Sequence, residues 1–239
     1  MEVKNRLLNF DMFIYQNDDW FTLSLDSVLL ANFVTINMTD KKILDLCTGN
    51  APIPLLLSNK TKNKIVGVEL QKEIYDLAIK SIKVNNLDSQ IEIINDDINN
   101  ISGRYESDFF DIITCNPPFF VTNNKELFND NDIKTIARHE VSVCLEDVLK
   151  VVNKLLKNGK RFAMVHRPER LIEIITLMRK YNIEPKKIRF CYPKALENAN
   201  ILLIEGVKNG KMGLKILSPL IVHNNDGSYT DEVRKMFGE

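Results

Sequence analysis

The chain has 239 residues, 44% of them hydrophobic, with 32 Lys+Arg set against 32 Asp+Glu. That is enough apolar residue for one large domain, and it provides no net charge for gripping a polyanion indiscriminately. No apolar run approaches the length of a membrane-spanning helix, and the start, Met1-Glu2-Val3-Lys4-Asn5-Arg6, lacks an apolar signal core, so a cytoplasmic location is expected.

In chain order, residues 1 to 34 stand outside any regular alternation, with Trp20-Phe21 followed by a helix from Leu25 to Phe33. Lys42-Ile43-Leu44-Asp45-Leu46 reads as a first buried strand, and a helix opens at Pro52-Ile53-Pro54, where proline is tolerated in the first turn. Ile65 to Glu69 is a second strand. Lys72 to Val84 follows as a helix, with Ile74, Leu77, Ala78, Ser81 and Ile82 on one stripe. Ile91 to Ile94 and Phe110 to Cys115 are the third and fourth strands. Leu145 to Leu156 reads as a helix stopped by Gly159, and Arg161 to Val165 as a fifth strand. Pro168 opens a helix through Leu171, Ile174, Ile175 and Met178. Lys187 to Tyr192 and Asn200 to Val207 are two late strands close enough to pair, and the tail ends in a helix from Thr230 to Phe237. Strand and helix alternating in this way predict an α/β fold: a mostly parallel, doubly wound sheet of seven strands ending in an antiparallel hairpin. The polar, asparagine-rich stretch Asn123 to Lys134 reads as a loop.

The four cysteines, Cys47, Cys115, Cys144 and Cys191, are scattered without a C-x-x-C, and the three histidines lie far apart. This argues for buried thiols and against disulfides or a metal site.

The polar residues of interest fall at strand ends. Asp45-Leu46-Cys47-Thr48-Gly49-Asn50-Ala51 joins the first strand to its helix, where a doubly wound sheet keeps its ligand crevice. Its small-x-Gly-x-small spacing admits close approach to the backbone, but it is not the G-x-G-x-x-G of nicotinamide binders, because the last position is Pro52. Glu69, followed by Leu70, ends the second strand, where a carboxylate can accept from two ribose hydroxyls. Asp96 and Asp97, followed by Ile98, come after the third strand. Asp97 is the expected contact to an adenine amine, with Asp96 capping the next turn.

Asn116-Pro117-Pro118-Phe119 follows the fourth strand. Two prolines offer no N–H to a ladder, so the strand must stop there. The stop presents the Asn116 amide, backbone carbonyls and the Phe119-Phe120 pair, a set suited to a planar amine on a flat ring. Further along, Arg167, Arg170, Arg179, Lys180, Lys186, Lys187 and Arg189 form a basic stretch, interrupted by Glu169, Glu173 and Glu184.

The ordered set Asp45-x-Cys47-x-Gly49-x-Ala51, Glu69, Asp97 and Asn116-Pro117-Pro118-Phe119 resembles class I S-adenosylmethionine-dependent methyltransferases acting on amino groups. Phe21-Thr22-Leu23-Ser24-Leu25-Asp26-Ser27-Val28-Leu29-Leu30-Ala31, Ala137-Arg138-His139-Glu140 and Leu217-Ser218-Pro219-Leu220 are similar to segments of bacterial tRNA adenine-N6 methyltransferases, whose characterised target is adenosine 37 of a valine tRNA. Ala51 departs from that family's usual third glycine.

The resemblance implies a Rossmann-like fold in one domain: residues 1–40 as an extension over the cofactor site, 41–207 as the core sheet and 208–239 as a tail. It implies S-adenosylmethionine held by Asp45, Cys47, Gly49, Asn50, Ala51, Glu69, Leu70, Asp97, Ile98 and Asn116. Catalysis falls to Asn116, Pro117, Pro118 and Phe119, and tRNA binding to Phe119, Phe120, Arg138, Arg167, Arg170, Lys186 and Lys187, in a monomer without metal or membrane. His139 reads as a solvent-facing loop residue.

The same motif serves guanine N2 in rRNA and a glutamine amide in release factors. The glutamine enzymes carry a larger helical N-terminal domain, whereas only residues 1–40 precede the first strand here. A non-catalytic RNA-binding module is disfavoured by the intact Asn116 motif with Glu69.

Overall fold

The computed structural model describes residues 2–17, 23–117 and 144–239. The chain opens with an antiparallel pair, β1 (Glu2–Arg6) and β2 (Phe13–Asn17), and helix α1 (Leu25–Phe33). The alternation then runs β3 (Lys42–Leu46), α2 (Pro52–Ser58), β4 (Lys64–Glu69), α3 (Lys72–Val84), β5 (Ile91–Asn95), α4 (Ile98–Ile101) and β6 (Phe110–Cys115). After the undescribed stretch come α5 (Leu145–Leu155), β7 (Leu156–His166), a 3-10 turn (Pro168–Arg170), α6 (Leu171–Lys180), β8 (Ile183–Tyr192) and β9 (Ile201–Lys208). Two short strands, β10 (Lys215–Ile216) and β11 (Leu220–Ile221), and helix α7 (Asp231–Met236) complete the chain.

The large sheet runs β5-β4-β3-β6-β7-β9-β8. Its first five strands are parallel, and β9 is antiparallel to both β7 and β8. Strand order therefore reverses between β3 and β6, and the crevice of such a sheet lies over their carboxyl ends. Among the described residues the sheet has nine strands where seven were expected, because the two-residue β10 and β11 pair parallel with β8 at the edge. Segments so short and half-exposed leave no period-2 signal.

Alternate residues of each strand sort to opposite faces. Ile43, Ile65, Ala163 and Leu203 join the core under α1, α2, α3 and α7. Leu44, Val66, Phe162 and Leu202 join the one under α4, α5 and α6. Gly159 does not stop the helix before it. The helix ends at Leu155, with the Leu156 backbone already extended, and Gly159 at φ +73° sits inside β7, where the pairing with β6 shifts register. Glycine at a bulge supplies the turn a Cβ would resist.

The β1–β2 pair was not anticipated in the sequence. It lies against α3, whose side chains complete its backbone bonding. Phe13 N donates to Asn85 Oδ1 at 2.8 Å, and Tyr15 N to Ser81 Oγ at 2.9 Å. Among the described residues no helix is long and apolar enough to cross a membrane.

Candidate functional site

The loop after β3 is built on three left-handed residues in alternation: Cys47 (φ +56°), Gly49 (φ +59°) and Ala51 (φ +71°). Each such residue swings the backbone back, so the small-x-Gly-x-small spacing is a conformational requirement. Two of its three positions bear a Cβ, at a strain of about 1–2 kcal/mol each. Among the described residues a Cβ added at Gly49 would meet nothing within 4 Å, so the loop faces open space there. Beneath it, Gly67 of β4 cannot carry a side chain: its Cβ would stand 2.6 Å from Ile93 Cδ1 and 2.9 Å from Thr48 Oγ1.

Asp45 lies wholly beneath this loop, 0% exposed. Thr48 Oγ1 and Thr114 Oγ1 each donate to its carboxylate at 2.6 Å. Burial pushes its pKa up to about 7 against those two bonds, and the neighbouring Glu69 adds to the rise. Asp45 thus braces the loop from inside, and Thr48 and Thr114, which sequence reasoning missed, are its partners. Thr114 sits on the next strand, two residues before Asn116, a placement legible only once β3 and β6 are known to be neighbours.

Glu69 closes the loop from the other side. Gly49 N donates to Oε2 and Gln71 N to Oε1, both at 2.9 Å, and burial raises its pKa against these backbone bonds. A carboxylate has about four lone-pair sites, and the Leu70 backbone also bonds to it, so capacity remains for one more donor. Leu70 beside it is 39% exposed, apolar surface left open at the crevice. Asn50 turns away: its Nδ2 donates to Tyr15 O of β2 at 2.8 Å, which ties the N-terminal pair to the loop.

After β5 the capping acid is Asp97, where Asp96 was expected. Asp97 caps α4 by accepting from Asn99 N at 2.8 Å. Asp96 accepts from Asn100 and Arg104, which hold its pKa below the usual carboxylate value. Ile98 is buried in the core. The short reach from an N-cap to the N–H two residues on suits Asp97 alone.

Asn116 follows β6 directly, and its Nδ2 donates to Ser27 Oγ of α1 at 3.1 Å. Sequence reasoning put no histidine beside this motif, yet β6 and β7 pair at Cys115 and Met164, so His166 lies level with Pro117 on the adjacent strand. Burial, aided by Arg170, lowers its pKa to about 4, leaving it neutral near pH 7, and its Nδ1 accepts from Arg167 N at 2.7 Å.

The basic residues do not form one cluster. Arg167 and Arg170 stand at the strand-end edge; Arg167 Nη1 donates to Asn200 O at 3.0 Å, and Arg170 pairs with Glu173. Lys187 lies well below, level with Ala163 across β9. Its Nζ donates to Phe33 O and Thr35 Oγ1 at 2.9 Å and meets buried Glu205 at 3.3 Å. Lys186 Nζ donates to Lys211 O at 2.8 Å.

Pro118, Phe119, Phe120, Arg138 and His139, with the Asn123 to Lys134 stretch, Trp20-Phe21 and Thr22, lie outside the described residues. Of the four thiols, Cys115 and Cys191 are buried as expected and Cys47 is half-buried. Cys144 is exposed, at the cap position of α5 rather than inside a packed strand.

This architecture is similar to that of solved methyltransferases. A predicted O-methyltransferase from Agrobacterium tumefaciens superposes with a TM-score of 0.71 at 19% identity, over 90% of this chain and 96% of that one. The T. thermophilus 16S rRNA N2 G1207 methyltransferase, solved with AdoMet and guanosine, reaches 0.61 at 19% identity, over 87% of this chain and 50% of that one. Among curated proteins, tRNA1(Val) (adenine(37)-N6)-methyltransferases from three bacteria align. The Bacteroides fragilis protein is 27% identical over 59% of this chain and 57% of its own length. Those of Flavobacterium psychrophilum and Aliivibrio salmonicida are 24% and 25% identical, over 76% and 89% of this chain and 77% and 87% of their own lengths. The methyltransferase small domain family matches residues 22–164, a span that takes in the left-handed loop, Glu69, Asp97 and Asn116, and the chain belongs to that family.

Proposed function

We propose that this methyltransferase moves a methyl group from S-adenosylmethionine to the exocyclic N6 amine of adenine in tRNA, at adenosine 37 of a valine tRNA. The observation that carries the reading is Asn116, a side-chain amide at the end of β6, where strand order reverses beside the left-handed loop after β3. The names of the aligned curated relatives support the choice of nucleotide.

The residues at the crevice fit the cofactor. Among the described residues open space lies in front of Gly49, Glu69 has spare acceptor capacity for a ribose hydroxyl, and Leu70 offers an apolar surface to a ring. Asp45 and Asn50 would act by holding the loop in shape, since both side chains are engaged inside. When bound, S-adenosylmethionine supplies an electrophilic methyl group on a sulfonium.

An adenine amine is a weak nucleophile because its lone pair is shared with the ring. Asn116 Oδ1 and the Pro117 carbonyl would accept its two N–H bonds. These acceptors bind more strongly as the nitrogen becomes tetrahedral and positive, which lowers the barrier selectively. Phe119 keeps the role its sequence position suggests, stacking the base, and an anticodon-loop adenine must be turned out to reach the site. Arg167 and Arg170, at the same edge, are the cations best placed to meet phosphate.

The test is to incubate the protein with labelled S-adenosylmethionine and bulk tRNA, then identify the modified nucleoside by mass spectrometry. N6-methyladenosine within the valine tRNA anticodon loop is expected. Label appearing only in rRNA N2-methylguanosine or in a protein glutamine would sink the reading. Asn116→Ala should slow single-turnover methylation by about 100-fold while leaving folding and cofactor binding intact.

A further inference from the structure

Asn116 is held from behind by a helix that lies outside the sheet. Its Nδ2 donates to Ser27 Oγ at 3.1 Å, a contact between residues 89 apart in sequence. Ser27 Oγ in turn stands 3.1 Å from Ser24 Oγ, and Ser24 caps α1 by accepting from Ser27 N at 3.3 Å. Ser27 is 3% exposed, so water does not supply these bonds.

A serine hydroxyl has one proton. Either hydroxyl of the Ser24–Ser27 pair can donate; with the Ser27 proton on Ser24 Oγ, Ser27 Oγ is purely an acceptor on the side of Asn116, and only the NH2 end of the amide meets it, the orientation seen here. The two ends of an amide are almost the same shape but opposite in hydrogen-bonding sense. Turned the wrong way, Asn116 would aim N–H donors at an amine that is itself presenting donors. We infer that Ser27, oriented by Ser24, is a positioning residue that locks the Asn116 amide with Oδ1 facing the methyl acceptor.

The inference rests on the proposed reading that the acceptor is an amine. It also gives a chemical reason for a buried serine beside Val28, Leu29, Leu30 and Ala31, which fill the core.

The experiment compares Ser27→Ala, Asn116→Ala and the double variant in methylation of an unmodified valine tRNA anticodon stem-loop. Cofactor affinity and thermal midpoint are measured on each. Ser27→Ala is expected to lower kcat by about 10- to 100-fold, the scale of a misoriented reacting group, with KM and cofactor affinity little changed. In the Asn116→Ala background it should have no further effect, because the group it orients is gone; a role confined to packing would instead subtract equally in both backgrounds.

A second readout does not depend on turnover. The Asn116 side-chain NH2 pair, identified in a 1H–15N spectrum by its absence in Asn116→Ala, should shift and exchange faster with solvent in Ser27→Ala. Slow turnover in Asn116→Ala beside wild-type turnover in Ser27→Ala would overturn this inference and leave the proposed function standing. Equal loss in both backgrounds would also overturn it, as would an unshifted NH2 pair. Wild-type turnover in Asn116→Ala would instead overturn the amine mechanism itself, and the NH2 pair would then decide alone whether Ser27 orients the amide.

Discussion

Asp45 should make this protein less stable as pH rises through the neutral range. Its carboxyl is fully buried, and its pKa stands at about 7 against an ordinary 3.8. At about 1.4 kcal/mol per tenfold change in proton affinity, that displacement amounts to about 4 kcal/mol. The sign follows from proton counts. Between 3.8 and about 7 the folded chain keeps a proton at Asp45 that the unfolded chain has lost, so raising pH favours unfolding. The contribution is absent below the unfolded value and complete above the folded one.

Asp45→Asn removes the titration while keeping an acceptor for Thr48 or Thr114, and either hydroxyl can rotate to accept from the new NH2 group. Urea unfolding of both proteins from pH 4 to 8.5 isolates the site together with its coupled neighbour Glu69, because uncoupled titrating groups such as His166 cancel in the difference. Wild type should lose about 4 kcal/mol relative to the variant across that range, more than about 1 M in urea midpoint at a slope near 3 kcal/mol/M. A difference that stays flat with pH would show that Asp45 is ionised in the folded protein throughout, and the rise attributed to its burial would be refuted.

Three further outcomes are expected. Ala51→Gly relieves about 1–2 kcal/mol of left-handed strain, gives back about 0.4–1 kcal/mol to unfolded-chain entropy and loses a fully buried methyl at about 0.8 kcal/mol, so chemical denaturation should show little net change; a loss beyond about 1.5 kcal/mol would mean the Ala51 φ of +71° carries no strain. Glu69→Ala frees Gly49 N and should weaken S-adenosylhomocysteine by about 1–3 kcal/mol in calorimetry, whereas equal affinity would remove Glu69 from the pocket. Lys187→Ala leaves Glu205, 5% exposed, without its cation and should lower stability by about 1–3 kcal/mol; an unchanged thermal midpoint together with weaker tRNA binding would return Lys187 to the RNA surface.

Much of the fold was legible because its signals are local. Runs such as Ile43-Leu44 and Ile112-Ile113 bury both faces of a parallel strand, Pro52 and Pro54 open a helix, and Pro117 ends β6 by lacking an N–H. The strand-end positions of Gly49, Glu69, Asp97 and Asn116 followed from counting along those elements, because a doubly wound sheet sends the ends of its parallel strands to one edge.

What each side chain does there depended on neighbours that sequence spacing cannot supply. Sequence spacing placed Asp45 at the loop but not its partner Thr114 on β6, and it placed Lys187 in a basic stretch but not beside Phe33, Thr35 and Glu205. The β1–β2 pair was hidden because part of its backbone bonding comes from Ser81 of α3 and from Asn85 at its end, and Ser27 looked like one small residue beside an apolar run. Local propensity and periodicity are properties of short segments and can be read from sequence. The partner of a buried polar group is chosen by which distant segments the topology packs together, and only the tertiary structure decides that.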